Sequence, residues 1–175
     1  RSRIGLETYA QAAAESDLIA AVNWTMLPHL ESIWEGLLDE VLPGLPAKPR
    51  TFFFDLADPE KRTSASLLHA LHMLKRFEAF GKVILGVNLK EANQVASVLE
   101  IPFSSATGDD LAAGAEAIRA KLEISCAVVH PRTGAAAAVA GERAYFEGPF
   151  VQDPKISTGA GDHFNAGFCL GRVLG

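Results

Sequence analysis

Residues 156–168 read Ile-Ser-Thr-Gly-Ala-Gly-Asp-His-Phe-Asn-Ala-Gly-Phe. Gly159, Ala160 and Gly161 carry almost no side chain, so their main-chain amides can approach a ligand closely. The apolar run that follows predicts a helix beginning near Gly161. Such a helix start presents unpaired N–H groups and the positive end of the helix dipole. That is an anion site, and phosphate is its usual occupant. Asp162 in the same turn would repel the guest if binding an anion were the only task. It makes sense as a base that takes a proton from a hydroxyl, whose oxygen then attacks a phosphorus held by the neighbouring amides. The plainer reading is a turn in which Asp162 caps a helix, and the turn alone does not decide between them.

Upstream of this turn, apolar clusters and turn signals alternate. A short Ala-rich helix precedes a strand at Leu18–Trp24, and His29–Val41 has the pattern of an amphipathic helix. Residues 42–50 form a proline-broken loop, and Thr51–Asp55 is a dense apolar strand ending in a carboxylate. A helix is predicted from about Arg62 to Phe80, because Leu67, Leu71, Leu74 and Phe77 share one face. Gly81 is read as its stop, free to take positive φ. Val83–Asn88 reads as a buried strand and Leu89–Leu99 as a helix. Asp109 is the expected cap of a helix reaching Leu122. Cys126–His130 is another strand, and residues 135–140 and 143–146 form a hairpin around Gly141-Glu142. Alternation of this kind predicts a three-layer α/β sandwich, a mainly parallel sheet with helices on both faces. Ligands then gather at the carboxyl ends of the strands, where Asp55, Asn88 and His130 fall.

Composition bounds the rest. The 175 residues are 49% hydrophobic, enough for one globular α/β domain spanning 1–175. The formal net charge is −5 with no basic block, which argues against nucleic acid as a partner. No apolar run reaches the roughly 20 residues that span a bilayer, and no signal peptide is visible, so a cytoplasmic protein without a membrane partner is expected. Cys126 and Cys169 sit in apolar surroundings and are read as buried free thiols. The chain starts at Arg1 and ends at Gly175 with a helical pattern still running, so a piece of a longer protein is expected.

The string Thr158-Gly-Ala-Gly-Asp162, with Phe164, Ala166, Gly167 and Phe168 behind it, resembles the C-terminal signature of the ribokinase-like (PfkB) carbohydrate kinases. The resemblance implies a ribokinase-like fold lacking its N-terminal strands, lid and final segment. It implies ATP-dependent phosphoryl transfer to a sugar or sugar-like hydroxyl, with ATP and Mg2+ as cofactors. Asp162 is then the base, and Gly159, Ala160 and Gly161 form the anion hole. Relatives often carry an acidic residue where this chain has Ile156, which leaves activation by a monovalent cation open. Homodimerisation through the absent lid is also open.

Asn88-Leu-Lys-Glu91 resembles the family's Asn-x-x-Glu element, which organises magnesium and the phosphates. Magnesium favours hard oxygen ligands and keeps several waters, so an amide oxygen and one carboxylate can position it. The same spacing is also that of a helix cap. Thr158, His130 and Gly134 correspond to nucleotide contacts, although His130-Pro-Arg-Thr-Gly134 can equally be a turn leading into a hairpin. Arg62 is either a phosphate ligand or part of a solvated helix start. A kinase-like regulatory domain, or a nucleoside or vitamin kinase of the same fold, are the competing readings.

Other residues carry less. His69 and His72 lack a third metal ligand. Trp24 and Trp34 are read as packing anchors, and Asn165 as a local hydrogen-bonding residue. No P-loop and no dinucleotide glycine fingerprint occurs.

Overall fold

Short runs of aromatic and aliphatic residues become strands when both faces of a sheet are covered. The computed structural model describes residues 5–156 and 158–174. Arg1 and Gly175, on which the expectation of a longer chain turns, and Ser157 lie outside the described residues. In chain order the elements are α1 (Leu6–Glu15), β1 (Leu18–Ala21), α2 (Leu30–Gly36), β2 (Thr51–Asp55), α3 (Ser64–Phe77), β3 (Lys82–Asn88), α4 (Leu89–Val98), α5 (Gly108–Leu122), β4 (Cys126–His130), β5 (Gly134–Val139), β6 (Glu142–Glu147) and α6 (Ala160–Leu174). The sheet follows the order of the sequence, β1-β2-β3-β4-β5-β6. β1 to β4 run parallel, and the β5–β6 hairpin turns back antiparallel.

The two-residue period of the strands sorts the core. Phe52 and Phe54 of β2, Val83, Leu85 and Val87 of β3, and Ala127 and Val129 of β4 join the large core with α3, α4 and α5. Phe53, Ile84, Cys126 and Val128 point the other way, against Phe164, Phe168 and Cys169 of α6. The result is the three-layer sandwich expected from the sequence. On the larger face, Trp34 and Phe77 meet Phe54 at ring centroid distances of 5.1 and 5.0 Å. Each such buried ring contributes roughly 1.5–3 kcal/mol over its exposed state. Trp24 and Trp34 are packing anchors as anticipated, and both cysteines are free and buried.

Several local expectations are corrected. β1 stops at Ala21 and does not reach Trp24, because Asn23 turns left-handed (φ 62°) and Thr25 N–H donates to Leu56 O instead of a strand partner. The helix at 29–41 is α-helical only over α2 and widens to a π-helix at Leu37–Val41, just ahead of Pro43. The helix expected from Arg62 to Phe80 is α3, capped by the Thr63 hydroxyl on Ser66 N–H at 3.1 Å. Gly81 is not left-handed; a Cβ there would collide with the Arg50 carbonyl oxygen, which accepts from Lys82 N–H at 2.9 Å. Its smallness serves a close strand approach rather than a cap. α5 is capped by Thr107, not Asp109: Thr107 Oγ1 accepts from Asp110 N–H while Asp110 accepts from Thr107 N–H.

Candidate active site

Parallel register brings Asp55, Asn88 and His130 to one end of the sheet. Asp55 lies opposite Gly86, and Asn88 opposite His130. α6 begins over this end. The Phe164 ring packs on the His130 ring with centroids 4.5 Å apart. A Cβ on Gly161 would lie 3.8 Å from His130 Cε1. Asn165 Nδ2 donates to Asp55 Oδ2 at 2.5 Å. Residues far apart in the chain, the 158–161 turn and the ends of β2 and β4, are thereby neighbours.

Gly159 is left-handed, with φ +83°. Its carbonyl accepts from His163 N–H at 3.0 Å, closing the first turn of α6, and faces His163 Nδ1 at 2.8 Å. The N–H groups at the start of the helix have no intrahelical acceptor. A Cβ on Gly159 would be 4.0 Å from Asp162 Oδ2, so the carboxylate folds back over the turn. Thr158, Ala160 and Asp162 are exposed, and Gly159 and Gly161 are half-buried. The turn is therefore open, with the Asp162 carboxylate close to Gly159.

Asn88 and Glu91 come together as a reciprocal helix cap. Asn88 Oδ1 accepts from Glu91 N–H at 3.0 Å, and Glu91 Oε2 accepts from Asn88 N–H at 2.9 Å. Glu91 Oε1 accepts in addition from Asp58 N–H at 2.8 Å. Glu91 is buried, and burial pushes its carboxyl above the usual range, against the pull of those two N–H groups. Nearby negative charge on Asp55 and Asp58 adds to the upward shift. Among the described residues no group of three or more His, Cys, Asp or Glu side chains is placed to hold a metal ion. Each Glu91 oxygen already accepts one N–H and keeps one further lone pair, so the pair fits a hydrated magnesium held through its waters.

Sequence reasoning places Asp55 at a strand end and gives Asn165 only a local role. In the fold Asn165 is buried and bonds across 110 residues to Asp55. The available signal is an amide in line with Phe164, Phe168 and Cys169, because a polar group in an apolar stripe needs a partner. Burial raises the Asp55 carboxyl; the bonds from Asn165 and Ala57 oppose this, and the charge on Asp162 adds to it. Asp55 Oδ1 accepts from Ala57 N–H at 2.8 Å, within a turn where Ala57 and Asp58 are both left-handed.

The remaining candidates separate. His130 is half-buried beneath the turn, burial holds its imidazole below the usual pKa, and its Nε2 is buried without a partner. Gly134 opens β5 at the same end of the sheet, where a side chain would collide with the Phe146 carbonyl, so hairpin packing explains its smallness. Arg62 is turned inward: it donates to the carbonyls of Thr25, Trp24 and Leu27 and lies 4.8 Å from the Trp24 ring. It therefore serves the fold. No helix is long and apolar enough to cross a membrane among the described residues.

Comparison with known proteins bears on the fold and the family. The chain is 27% identical over 173 residues to a ketohexokinase from Haloferax volcanii, covering 99% of this chain and 45% of that protein. An adenosine kinase from Sinorhizobium meliloti superposes with a TM-score of 0.66 at 17% identity, covering 99% of this chain and 48% of the other. A ribokinase from Thermotoga maritima does so at 0.64 and 19% identity, covering 95% and 46%. The fold is therefore ribokinase-like, and the chain spans about half the length of these relatives. The family described as prokaryotic ketohexokinase matches residues 1–175, and the chain belongs to that family.

Proposed function

We propose that this chain supplies the phosphoryl-transfer half of an ATP-dependent sugar kinase, with a ketohexose as the acceptor suggested by its family. One observation carries the reading: an open Gly159–Gly161 turn at the head of α6, with the Asp162 carboxylate folded back over it. Asp162 accepts the proton of a sugar hydroxyl as its oxygen attacks the terminal phosphorus. The amides of residues 159–161 stabilise the charge that spreads over the transferring group. Thr158, His130 and Gly134 border the nucleotide. Magnesium, when bound, neutralises phosphate charge. Asn88 and Glu91 orient its water shell and hold the loop beneath it.

A nucleotide-sensing domain without turnover is the second reading, favoured by the burial and full backbone engagement of Glu91. The deciding assay is ATP consumption by the full-length protein against a panel of ketohexoses, aldoses and nucleosides, with and without magnesium. Asp162→Asn should lower kcat by about two to four orders of magnitude while ATP still binds. Near-normal turnover by that variant would refute the base assignment. Nucleotide binding with no turnover on any acceptor would establish the sensing reading.

A further inference from the structure

α6 packs on the face of the sheet opposite α3, α4 and α5, held there by Phe164, Phe168 and Cys169. Apolar packing of this kind fixes contact but constrains sliding and rotation weakly, because dispersion has no preferred direction. Among the described residues, one side-chain hydrogen bond ties α6 to the sheet: Asn165 Nδ2 to Asp55 Oδ2. Asn165 lies one helical turn after Asp162, so whatever fixes its amide fixes the azimuth of the first turn. Asp55 is itself fixed, since it pairs with Gly86 of β3 and its other oxygen holds Ala57 N–H. The Asn165 Oδ1 atom is buried and unpartnered, so the pair has a single polarity, amide donating and carboxylate accepting.

We propose that Asp55 and Asn165 are positioning residues that set the register of α6 on the sheet and so aim Asp162 and the glycine amides at the reacting phosphoryl group. The inference rests on the kinase reading given above. Neither residue touches substrate in this scheme. A shift of about 1 Å at a reacting group can cost on the order of a hundredfold in rate, so loss of the pair lowers kcat more than it raises KM for either substrate.

The test exchanges the two side chains in the full-length protein. Asn165→Asp alone sets two carboxylates face to face, and kcat should fall about ten- to a hundredfold. Asp55→Asn combined with Asn165→Asp rebuilds the bond in reverse. The amide introduced at position 55 can accept from Ala57 N–H with its oxygen and donate with its nitrogen to the carboxylate introduced at position 165. Recovery of most of the lost kcat in the double variant, with KM for ATP within about threefold of the parent, is the expected result. Equal kcat in the single and double variants, with both folded by circular dichroism, would overturn the inference. Full turnover of Asn165→Asp would overturn it as well. Asp162→Asn assayed alongside separates the two failures. If that variant is inactive while the exchange has no effect, the positioning role alone is lost. If it is active, the assignment of Asp162 as the base has failed, and if the parent itself turns over no acceptor, the kinase reading has failed.

Discussion

The imidazole of His163 closes on the carbonyl of Gly159, with Nδ1 2.8 Å from the oxygen. The same oxygen accepts the His163 main-chain N–H at 3.0 Å, so one residue grips the turn through both backbone and side chain. A neutral imidazole makes this bond only with its proton on Nδ1, and a charged one makes it as well. Either form draws the Gly159 carbonyl towards the helix, with φ at Gly159 held at +83°.

His163→Ala removes the side-chain half of that grip. The group is exposed, so stability should change by about 1 kcal/mol or less. Turnover of the full-length protein should fall several-fold, since the amides that follow Gly159 lose one restraint on their direction. Thermal melts and steady-state kinetics on the same preparation check both expectations. A large fall in melting temperature would mean that the contact serves folding.

Two glycines of the turn should answer differently to the same substitution. A Cβ at Gly159 meets His163 Nδ1 at 3.8 Å and Asp162 Oδ2 at 4.0 Å, both ordinary contacts. Its cost is therefore conformational, about 1–2 kcal/mol for a side chain held at positive φ. Gly161 is not left-handed, and a Cβ there stands 3.8 Å from His130 Cε1, so the free protein accommodates it. Gly161→Ala should leave stability unchanged or slightly raised, since alanine favours helix by about 0.8–1 kcal/mol. If a phosphoryl group rides on these amides, Gly161→Ala still loses turnover. Denaturant midpoints and kcat for both variants make the comparison, and an active Gly161→Ala enzyme would count against close approach at that residue.

Much of this arrangement is legible in the sequence, and the parts that are not share a cause. β2 and β4 fall at Thr51–Asp55 and Cys126–His130 as read, because dense apolar runs bounded by polar residues leave little choice. The end of β1 is hidden, since most of Leu18–Trp24 is apolar, and the chain leaves the strand through left-handed Asn23 and a bond from Thr25 N–H to Leu56 O. The Thr107 cap carries a local signal, Thr-x-x-Asp, but Asp109 competes with it as a cap on residue type alone. The Asn88–Glu91 spacing admits both a cap and a metal role, and the fold realises the cap. Asp55 and Asn165 cannot be paired from periodicity, because their contact depends on which strand α6 covers.

Asp55 also makes a prediction about acid. Burial, joined by the charge on Asp162, raises its carboxyl above the ordinary value. The native protein then keeps a proton that the unfolded chain has released. The stability this contributes is complete below the ordinary carboxylate pKa and is lost as pH rises through the raised one. Glu91 acts in the same sense. From about pH 4 upward, urea midpoints of the parent protein should therefore decline more steeply than those of Asp55→Asn, which has no proton to lose at this position. Parallel curves for the two proteins would show that Asp55 does not titrate across the window.

Glu91 joins the metal question to the fold. Its two oxygens receive the N–H groups of Asn88, at the head of α4, and of Asp58, a left-handed residue with φ 66°. Glu91→Ala leaves both donors without their acceptor in a part-buried setting, which should cost about 1–3 kcal/mol. Glu91→Gln can accept one N–H but turns its own amide towards the other, so it should fall between parent and alanine. If the pair also orients magnesium's water shell, both variants should need several-fold more magnesium for half-maximal turnover, read below their melting temperatures. A stability loss with an unchanged magnesium requirement would leave Glu91 a helix cap and nothing more, and would move the organisation of the metal to other residues.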